Sequence, residues 1–404
     1  ESRKRFKKLE SGFNFFYQPG TRKKAGYILL SRGDPKLAGE PSIELWDLNN
    51  QLLIHKWDFD MDQILSNTIV DTNKADSIYF MNPLLIEDGS LIVNDIRPGS
   101  PLMKISLNGT VEKVNVEYKY HHSLNMDNQG NIYVPITMRN KMPRVDIVDT
   151  APLELEDQGF AILDKDLNIK KVYSMSEIFE NAGLDYLLYS RHPSHDPFHI
   201  NDVEPFITEN GTNIVLISLR STSSIIAFDM KSEKIKWMIQ GYFNRQHDVD
   251  ILDHEGKFIS IFDNNVIKGV NEKGNRFVTI NNLPSLKDKE YEDLYIYSFP
   301  SKQVLENNLI INTEDFSFFD NKDMIPITNT AGQSEMILEN DSVFIEESNH
   351  GRSFEYDFNK KELLWVFINR DNITNNYYRK SWSRRYKNIS QNLLKLLKKE
   401  AKSL

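Results

Sequence analysis

The sequence predicts an all-β protein, specifically a six-bladed β-propeller with short helical insertions and a C-terminal helix. Two observations support this prediction. Most of the 404 residues fall in short apolar segments separated by Asp, Asn and Gly turns, a pattern typical of β-hairpins. These units recur at a spacing of roughly 40–50 residues, with about four strands in each, which is the period of propeller blades.

Each repeat begins with a polar turn, continues into an apolar strand and returns in a second strand. For example, "EDGSLIVND" is followed by "LMKISLNGTVEKV". The turns begin at Glu87, Asp127, Glu209, Asp253, Glu306 and Glu339. The longest interval contains an insertion at about Met138 to Asp157, and a hairpin from Gly26 adds an earlier unit. We expect a strand from one terminus to complete the blade at the other, since this removes exposed edges. A large β-sandwich is the alternative.

The repeat divides the chain into three parts. Residues 1–25 form an N-terminal extension, residues 26–370 the propeller, and residues 371–404 a tail that carries an amphipathic helix. The helical segments are Ser174–Leu184, with Ser174 as the cap, and Asn388–Leu404. We expect the second helix to pack on the protein, and a contact with a membrane surface or a partner is the alternative.

Composition excludes several classes of function. The net charge of −9 argues against a general nucleic-acid-binding surface, and the absence of cysteine excludes disulfides, thiolate metal sites and a cysteine nucleophile. No run of 18 apolar residues is present, so no segment is expected to span a bilayer. A chain that begins with Glu1 and lacks the apolar part of a signal peptide suggests trimming, with a signal or membrane anchor in the removed part.

Three of the nine histidines occupy similar positions in successive repeats. His122, His199 and His247 each precede the turn glycine of a repeat by eight to twelve residues. We therefore expect them on the connections into their blades, facing one end of the channel. Arg220 ends the strand "NIVLISLR" at about the level of His199, and its planar donor fork suits phosphate or sulfate oxygens. The alternatives are hydrogen-bonded loop histidines and an ordinary ion pair for the arginine.

Several blocks, in order, carry a family resemblance. They are "IELWDLNNQLLIHKW", "HHSLNMDNQGNIYV", "FHINDVEPFITENGTNIVLISLRSTSSIIAFDMKSEKIKWMI", "QHDVDILDHEGKFISIFDN" and "GRSFEYDFNKKELLWVF". Together they resemble the arylsulfotransferase family, bacterial enzymes that move a sulfuryl group between phenols without a nucleotide sulfate donor. The resemblance covers most of the chain and implies a six-bladed propeller with the active site in the central channel.

The resemblance also implies roles for individual residues. His247 matches the histidine nucleophile that becomes transiently sulfated. His122, His199 and Arg220 match the positions that bind sulfuryl oxygens and manage protons. His121 competes with His122 for one of these positions, and we favour His122. No metal and no cofactor are expected.

Three further residues are candidates for substrate binding: His121, Asn201 and Tyr242. Asn201 would hold a loop or a substrate oxygen, and the ring of Tyr242 would stack on a phenolic donor, with ordinary packing as its alternative. Asp248 would orient an imidazole or cap a turn. Asn265 replaces a glycine that the family pattern leads us to expect, and the insertion after Met138 would reshape the acceptor pocket.

The sequence thus predicts a sulfotransferase that acts by a ping-pong reaction through sulfohistidine. Its partners would be a small-molecule aryl sulfate donor and a phenolic or other hydroxyl acceptor, with no nucleic acid, in the periplasm or outside the cell. The sequence names neither substrate nor the oligomeric state.

Three other hypotheses remain at this point. Three histidines at a channel mouth would also suit a metal-dependent propeller hydrolase, although Arg220 and the lack of a closely spaced histidine pair argue against it. A non-catalytic propeller that binds a partner or a glycan is the second. The third is a specialised transferase that acts on a saccharide or a peptide tyrosine.

Overall fold

A computed structural model of the chain describes residues 9–67, 78–95, 101–141, 156–184, 187, 197–208, 211–241, 243–265, 275–287, 295–298, 308–312 and 332–400. The chain forms two compact units. The central unit is Val116–Thr313, and the terminal unit combines Glu1–Asn115 with Glu314–Leu404. The described residues form six sheets of four or five strands, three in each unit. These are the six blades that the repeat predicts, so the predicted fold class, a mainly β six-bladed propeller, is confirmed.

The central unit contains the third, fourth and fifth blades. The third blade consists of β9 (Lys119–Tyr120), β10 (Asn125–Met126), β11 (Ile132–Lys141), β12 (Glu156–Leu163) and β13 (Ile169–Ser174). The fourth consists of β14 (Ile200–Thr208), β15 (Gly211–Leu219), β16 (Ser224–Asp229), β17 (Lys234–Gln240) and β21 (Tyr295–Ser298). The fifth consists of β18 (His247–Ile251), β19 (Ile259–Asp263), β20 (Arg276–Ile280) and β22 (Ile310–Asn312). Neighbouring strands are antiparallel except β17 and β21, which are parallel.

The terminal unit contains the first, second and sixth blades. The first consists of β27 (Arg384–Tyr386), β2 (Tyr27–Gly33), β3 (Pro41–Asp47) and β4 (Leu52–Lys56). The second consists of β5 (Phe80–Leu85), β6 (Leu91–Asp95), β7 (Leu102–Ile105) and β8 (Val111–Asn115). The sixth consists of β23 (Gly332–Ile337), β24 (Ser342–Glu347), β25 (Arg352–Asp357), β26 (Glu362–Ile368) and β1 (Gly12–Phe15).

The first and sixth blades exchange strands from the two termini. β1 pairs with β26, with Gly12 opposite Ile368, and β27 pairs with β2, with Tyr386 opposite Tyr27. β1 lies in the predicted N-terminal extension and β27 in the predicted tail, so both terminal segments contribute a strand to a blade. Each exchange covers a sheet edge that would otherwise expose unpaired backbone groups.

The core of the central unit lies between the faces of successive blades. One cluster joins the third and fourth blades through Phe160 and Phe228, and another joins the fourth and fifth through Trp237 and Ile261. These side chains are fully buried. Burial of each one stabilises the fold by roughly 1.5–3 kcal/mol, which fixes the blades firmly against one another.

The described residues contain three α-helices: α1 (Met61–Ser66), α2 (Met175–Asn181) and α3 (Gln391–Glu400). Ser174 caps α2, as its sequence predicts, since its side chain accepts a hydrogen bond from the N–H of Glu177. The apolar face of α3 packs into the core of the terminal unit. Among the described helices, none combines the length and the apolar character needed to cross a bilayer.

Candidate active site

Three imidazoles from three different blades meet in the central unit. His122, His199 and His247 each offer a ring nitrogen, and the three nitrogens all lie within 4.8 Å of one another. The ring centroid of His122 lies 5.0 Å from that of His199 and 6.0 Å from that of His247, and the last two are 6.3 Å apart. The structure therefore brings together the three histidines that the repeat singled out.

Each of these histidines has a left-handed backbone residue at its own position or at the next one, which directs its side chain. His122 lies between β9 and β10, His199 directly precedes β14, and His247 begins β18. His122 and His199 adopt left-handed φ values of 58° and 50°, and Asp248, next to His247, adopts 49°. Such angles are strained for residues other than glycine, at roughly 1–3 kcal/mol each, and bulges of this kind redirect side chains at functional sites. Asp248 thus belongs to the kink that places His247.

Arg220 adds a positive charge to this cluster. It directly follows β15, and its backbone N–H donates to the carbonyl of His199 over 3.1 Å. The charge of Arg220 contributes to the lowered pKa values of both His122 and His247. The arginine is half-buried, so the cluster offers a small anion one guanidinium and several imidazole N–H groups.

Burial keeps two of the imidazoles neutral. His122 and His247 are 7% and 2% exposed. Loss of hydration holds the pKa of each well below its usual value of 6.5, and the neighbouring imidazoles and Arg220 lower it further. Each ring therefore has one unprotonated nitrogen at neutral pH, the form that acts as a nucleophile or a base.

The tautomer of His247 is set by Asn264. Nδ1 of His247 lies 3.0 Å from Oδ1 of Asn264, and an amide oxygen can only accept. Nδ1 therefore carries the proton, and the lone pair resides on Nε2. Asn264 directly follows β19, two residues after Phe262, which pairs with His247 at the start of β18.

His121 lies beside the cluster and contacts His122. Their Nδ1 atoms are 2.9 Å apart, so the N–H of one ring donates a hydrogen bond to the nitrogen of the other. The other nitrogen of His121 lies 3.3 Å from the hydroxyl of Thr137 on β11. His122, and not His121, belongs to the group of three imidazoles that converge.

Asn201 is fully buried at the start of β14. Its amide nitrogen donates to the carbonyl of Gln246 over 2.7 Å, which ties the fourth blade to the residue before His247. Its Oδ1 is buried without a hydrogen-bond partner among the described residues. Tyr242, the remaining predicted binding residue, lies outside the described residues.

Sequence reasoning missed three residues that hold the histidines: Gln158, Asp202 and Asn264. The Gln158 side chain accepts from the N–H of His199 over 2.7 Å. Asp202 links the strands of three blades, and Asn264 orients His247. Asp202 and Asn264 lie in the same sequence blocks as His199 and His247, within "HIND" and "FDN". Their presence in these blocks could have identified them as candidates. Gln158 gave none, because it follows the insertion in the third blade.

Comparison with known proteins identifies a family. The family model described as Arylsulfotransferase (ASST) matches residues 91–370, which is more than half of the chain. No curated protein matches the sequence. Among solved structures, the chain is similar to a protein of unknown function from Bacteroides caccae, at 8% identity and a TM-score of 0.49, over 89% of this chain and 98% of that one.

Two other solved structures resemble this chain to a comparable degree. The β-propeller domain of Cps50 (Swd1) from Myceliophteria thermophila is 8% identical with a TM-score of 0.43, over 88% of each chain. Hydrazine synthase from Kuenenia stuttgartiensis is 12% identical with a TM-score of 0.43, over 79% of this chain and 71% of that one. Similarity at this level carries no information about function.

Proposed function

Because the chain belongs to the arylsulfotransferase family and is an arylsulfotransferase, we propose that it transfers a sulfuryl group by a ping-pong reaction through sulfohistidine. The donor is an aryl sulfate ester, and the acceptor is a phenolic or other hydroxyl group. The observation that carries the proposal is the convergence of three imidazoles from three blades beside a guanidinium. Such a cluster combines a nucleophile, proton carriers and a binding group for an anion.

His247 is the nucleophile in this proposal. Its ring is neutral and hydrogen-bonds to Asn264 through Nδ1 and to the backbone of Arg245, and Nε2 provides the lone pair that attacks sulfur. Attack on sulfur forms an N–S bond and breaks the S–O bond to the aryl group, whose electron pair leaves on a phenolate oxygen. Covalent transfer through an activated side chain divides one difficult step into two easier ones.

Arg220 and the other two histidines stabilise the transferred group. Sulfuryl transfer resembles phosphoryl transfer in its loose transition state, so positioning and electrostatics dominate the rate. Arg220 binds the sulfuryl oxygens, and N–H groups of His122 and His199 donate to the same oxygens or to the bridging oxygen.

The second half of the reaction returns the enzyme to its starting form. The acceptor hydroxyl attacks the sulfur of sulfohistidine, an S–O bond forms, and the N–S bond breaks. The hydroxyl proton passes to a neighbouring imidazole, His122 or His199, which then releases it to water, and the electron pair of the broken bond returns to Nε2 of His247. His247 is thereby restored as a neutral nucleophile.

Incubation with 4-nitrophenyl sulfate tests the proposal. Without an acceptor, the wild-type protein should release one equivalent of nitrophenolate and gain the mass of one sulfuryl group, which added phenol then removes. His247→Ala should lower transfer by about 10⁴-fold or more and abolish the mass gain. His254→Ala, an exposed histidine in the turn of the same blade, is the control and should behave like wild type.

Two results would contradict the proposal. One is a wild-type protein that releases no nitrophenolate with or without phenol. The other is a His247→Ala variant that still becomes sulfated.

A divalent metal ion is a second candidate for the cluster, since three imidazole nitrogens within 4.8 Å of one another are a possible ligand set for zinc. The positive charge of Arg220 beside the same rings opposes a cation. Metal analysis of protein purified without added metal separates the two candidates. A stoichiometric ion whose removal abolishes activity would favour a metal-dependent hydrolase.

A further inference from the structure

The carboxylate of Asp202 connects β10 of the third blade, β14 of the fourth and β18 of the fifth. Asp202 belongs to β14 and is 1% exposed. One of its oxygens accepts from the side-chain amide of Asn125 on β10 over 2.9 Å. The other accepts from the backbone N–H of Val249 on β18 over 2.8 Å. A single buried group therefore connects the three strands next to which the three histidines lie.

Ser123 and Asn125 complete the connection. The Ser123 hydroxyl hydrogen-bonds to the carboxylate of Asp202 and accepts from the N–H of Val203 over 3.3 Å. Asn125 donates to the carbonyl of Val203 over 3.2 Å as well as to Asp202. The carboxylate is thus held by directed hydrogen bonds from both neighbouring strands, which define distance and angle more tightly than apolar packing does.

Each connection is close to a histidine along the chain. Ser123 directly follows His122, and Val249 is the second residue after His247. Asp202 is itself the third residue after His199. A shift of one strand relative to the others would therefore move one imidazole relative to the other two, and misplacement by about 1 Å can lower a rate about 10²-fold.

We propose that Asp202 is a positioning residue that sets the spacing of the three imidazoles for sulfuryl transfer. This inference rests on the proposed function. Asp202 acts through the strands and does not itself contact the transferred group. Burial raises the pKa of Asp202 to about 6, and the hydrogen bonds from Val249, Ser123 and Asn125 oppose that rise.

The substitution Asp202→Asn tests this role with little change in shape. The new amide group keeps one acceptor but presents N–H donors to Val249 or Asn125, which are donors themselves. The matched control is Asp127→Asn. Asp127 is also buried, at 4% exposure, and accepts from the N–H groups of Gln129 and Asn131, but in the turn after β10 in a single blade.

Single-turnover sulfation of His247 by 4-nitrophenyl sulfate is the first measurement. Both variants should unfold at a lower temperature than wild type. Only Asp202→Asn should slow sulfation, by about 10²-fold in fully folded protein, while Asp127→Asn stays within about twofold. Equal sulfation rates in wild type and Asp202→Asn would overturn the proposal, since Asp202 would then only stabilise the fold.

The single variant Asn125→Ala covers the case in which Asp202→Asn does not fold, and a double-mutant cycle applies if it does fold. Asn125→Ala removes one hydrogen bond to Asp202 and should slow sulfation by about tenfold, less than Asp202→Asn, because the contacts from Ser123 and Val249 remain. If Asp202→Asn folds, the double variant should be no slower than Asp202→Asn alone. A normal sulfation rate for Asn125→Ala, or a fully additive double variant, would contradict the proposal.

A second readout separates this proposal from the proposed function. In protein labelled with ¹⁵N-histidine, Asp202→Asn should shift the ring signals of all three site histidines, whereas Asp127→Asn should not. If wild type transfers no sulfuryl group but these signals shift, the proposed function fails and the positioning role of Asp202 stands. If transfer occurs and the signals do not shift, the positioning role fails alone.

Discussion

Both units have residues with a left-handed backbone conformation in or next to their blade strands, but the side chains near these residues differ in chemistry. In the central unit, left-handed residues at or beside His122, His199 and His247 accompany three imidazoles that meet. In the terminal unit, Asn82 and Trp382 also adopt left-handed φ values, of 44° and 55°. In the terminal unit, the polar side chains near these two residues form hydrogen bonds and an ion pair with other protein groups.

The terminal unit closes its polar groups into a buried network. Glu346 accepts from the backbone N–H groups of Trp382 and Ser383 over 2.6 and 3.1 Å, and forms a 3.3 Å ion pair with Lys380. Asn82 donates to Gln333 over 3.3 Å. This difference shows that a left-handed backbone residue determines only where the neighbouring side chain points. Side-chain chemistry decides whether the result is a network that stabilises the fold or a cluster that offers reactive nitrogens.

The largest expected effect is on the stability of the terminal unit. Glu346→Gln leaves the buried ammonium of Lys380 without its carboxylate, so the free energy of unfolding should fall by about 3–5 kcal/mol. Urea unfolding measures this loss. Sulfuryl transfer per folded molecule should stay within about twofold of wild type. Lost transfer at unchanged stability would show that the buried network of the terminal unit serves the reaction and not the stability of the fold.

Arg220→Lys tests whether the side chain of Arg220 binds the sulfuryl oxygens. Lysine keeps the positive charge but loses the planar donor fork, so kcat/KM with 4-nitrophenyl sulfate should fall by about 10²–10³. Arg379→Lys, an exposed arginine in the terminal unit, should leave kcat/KM unchanged. A fall of less than about threefold for Arg220→Lys would mean that its side chain does not bind the sulfuryl oxygens.

Asn264→Ala removes the group that fixes the proton of His247. The two tautomers should then interconvert freely, and the rate of His247 sulfation should drop about tenfold, the equivalent of one hydrogen bond. The control is Asn128→Ala in an exposed turn of the central unit. A sulfation rate equal to that of wild type would indicate that other contacts set the tautomer.

The last expected effect, absent at neutral pH, is a dependence of stability on pH. His122 and His247 have pKa values well below 6.5 in the folded protein and near 6.5 in the unfolded chain. Protons therefore bind the unfolded state first, and stability should fall as the pH drops below 6.5, by about 1.4 kcal/mol per pH unit for each ring. Urea unfolding from pH 7.5 to 5 should show a weaker dependence for His122→Asn than for wild type. Identical slopes would mean that these rings titrate normally.

The sequence was informative wherever a signal was local. Periodic turns predicted the blades, and Ser174 marked the start of α2. The positions of His122, His199 and His247 relative to their turns predicted a common site. The pairing of β1 with β26 confirms the expected closure of the last blade by a strand from the other terminus. Asp202, Gln158 and the pairing of β27 with β2 were not predicted, because each depends on partners far away in the chain.

By itself, the amino-acid sequence determined the repeating β unit, the absence of cysteine chemistry and the identity of the imidazoles and the guanidinium available for reaction. The tertiary structure alone places one nitrogen of each of the three rings within 4.8 Å of the others and buries two of the rings, which keeps them neutral. The physical reason is that turns and strands follow from neighbouring residues. Burial, charge state and hydrogen bonding between blades arise only when distant segments pack together and exclude water.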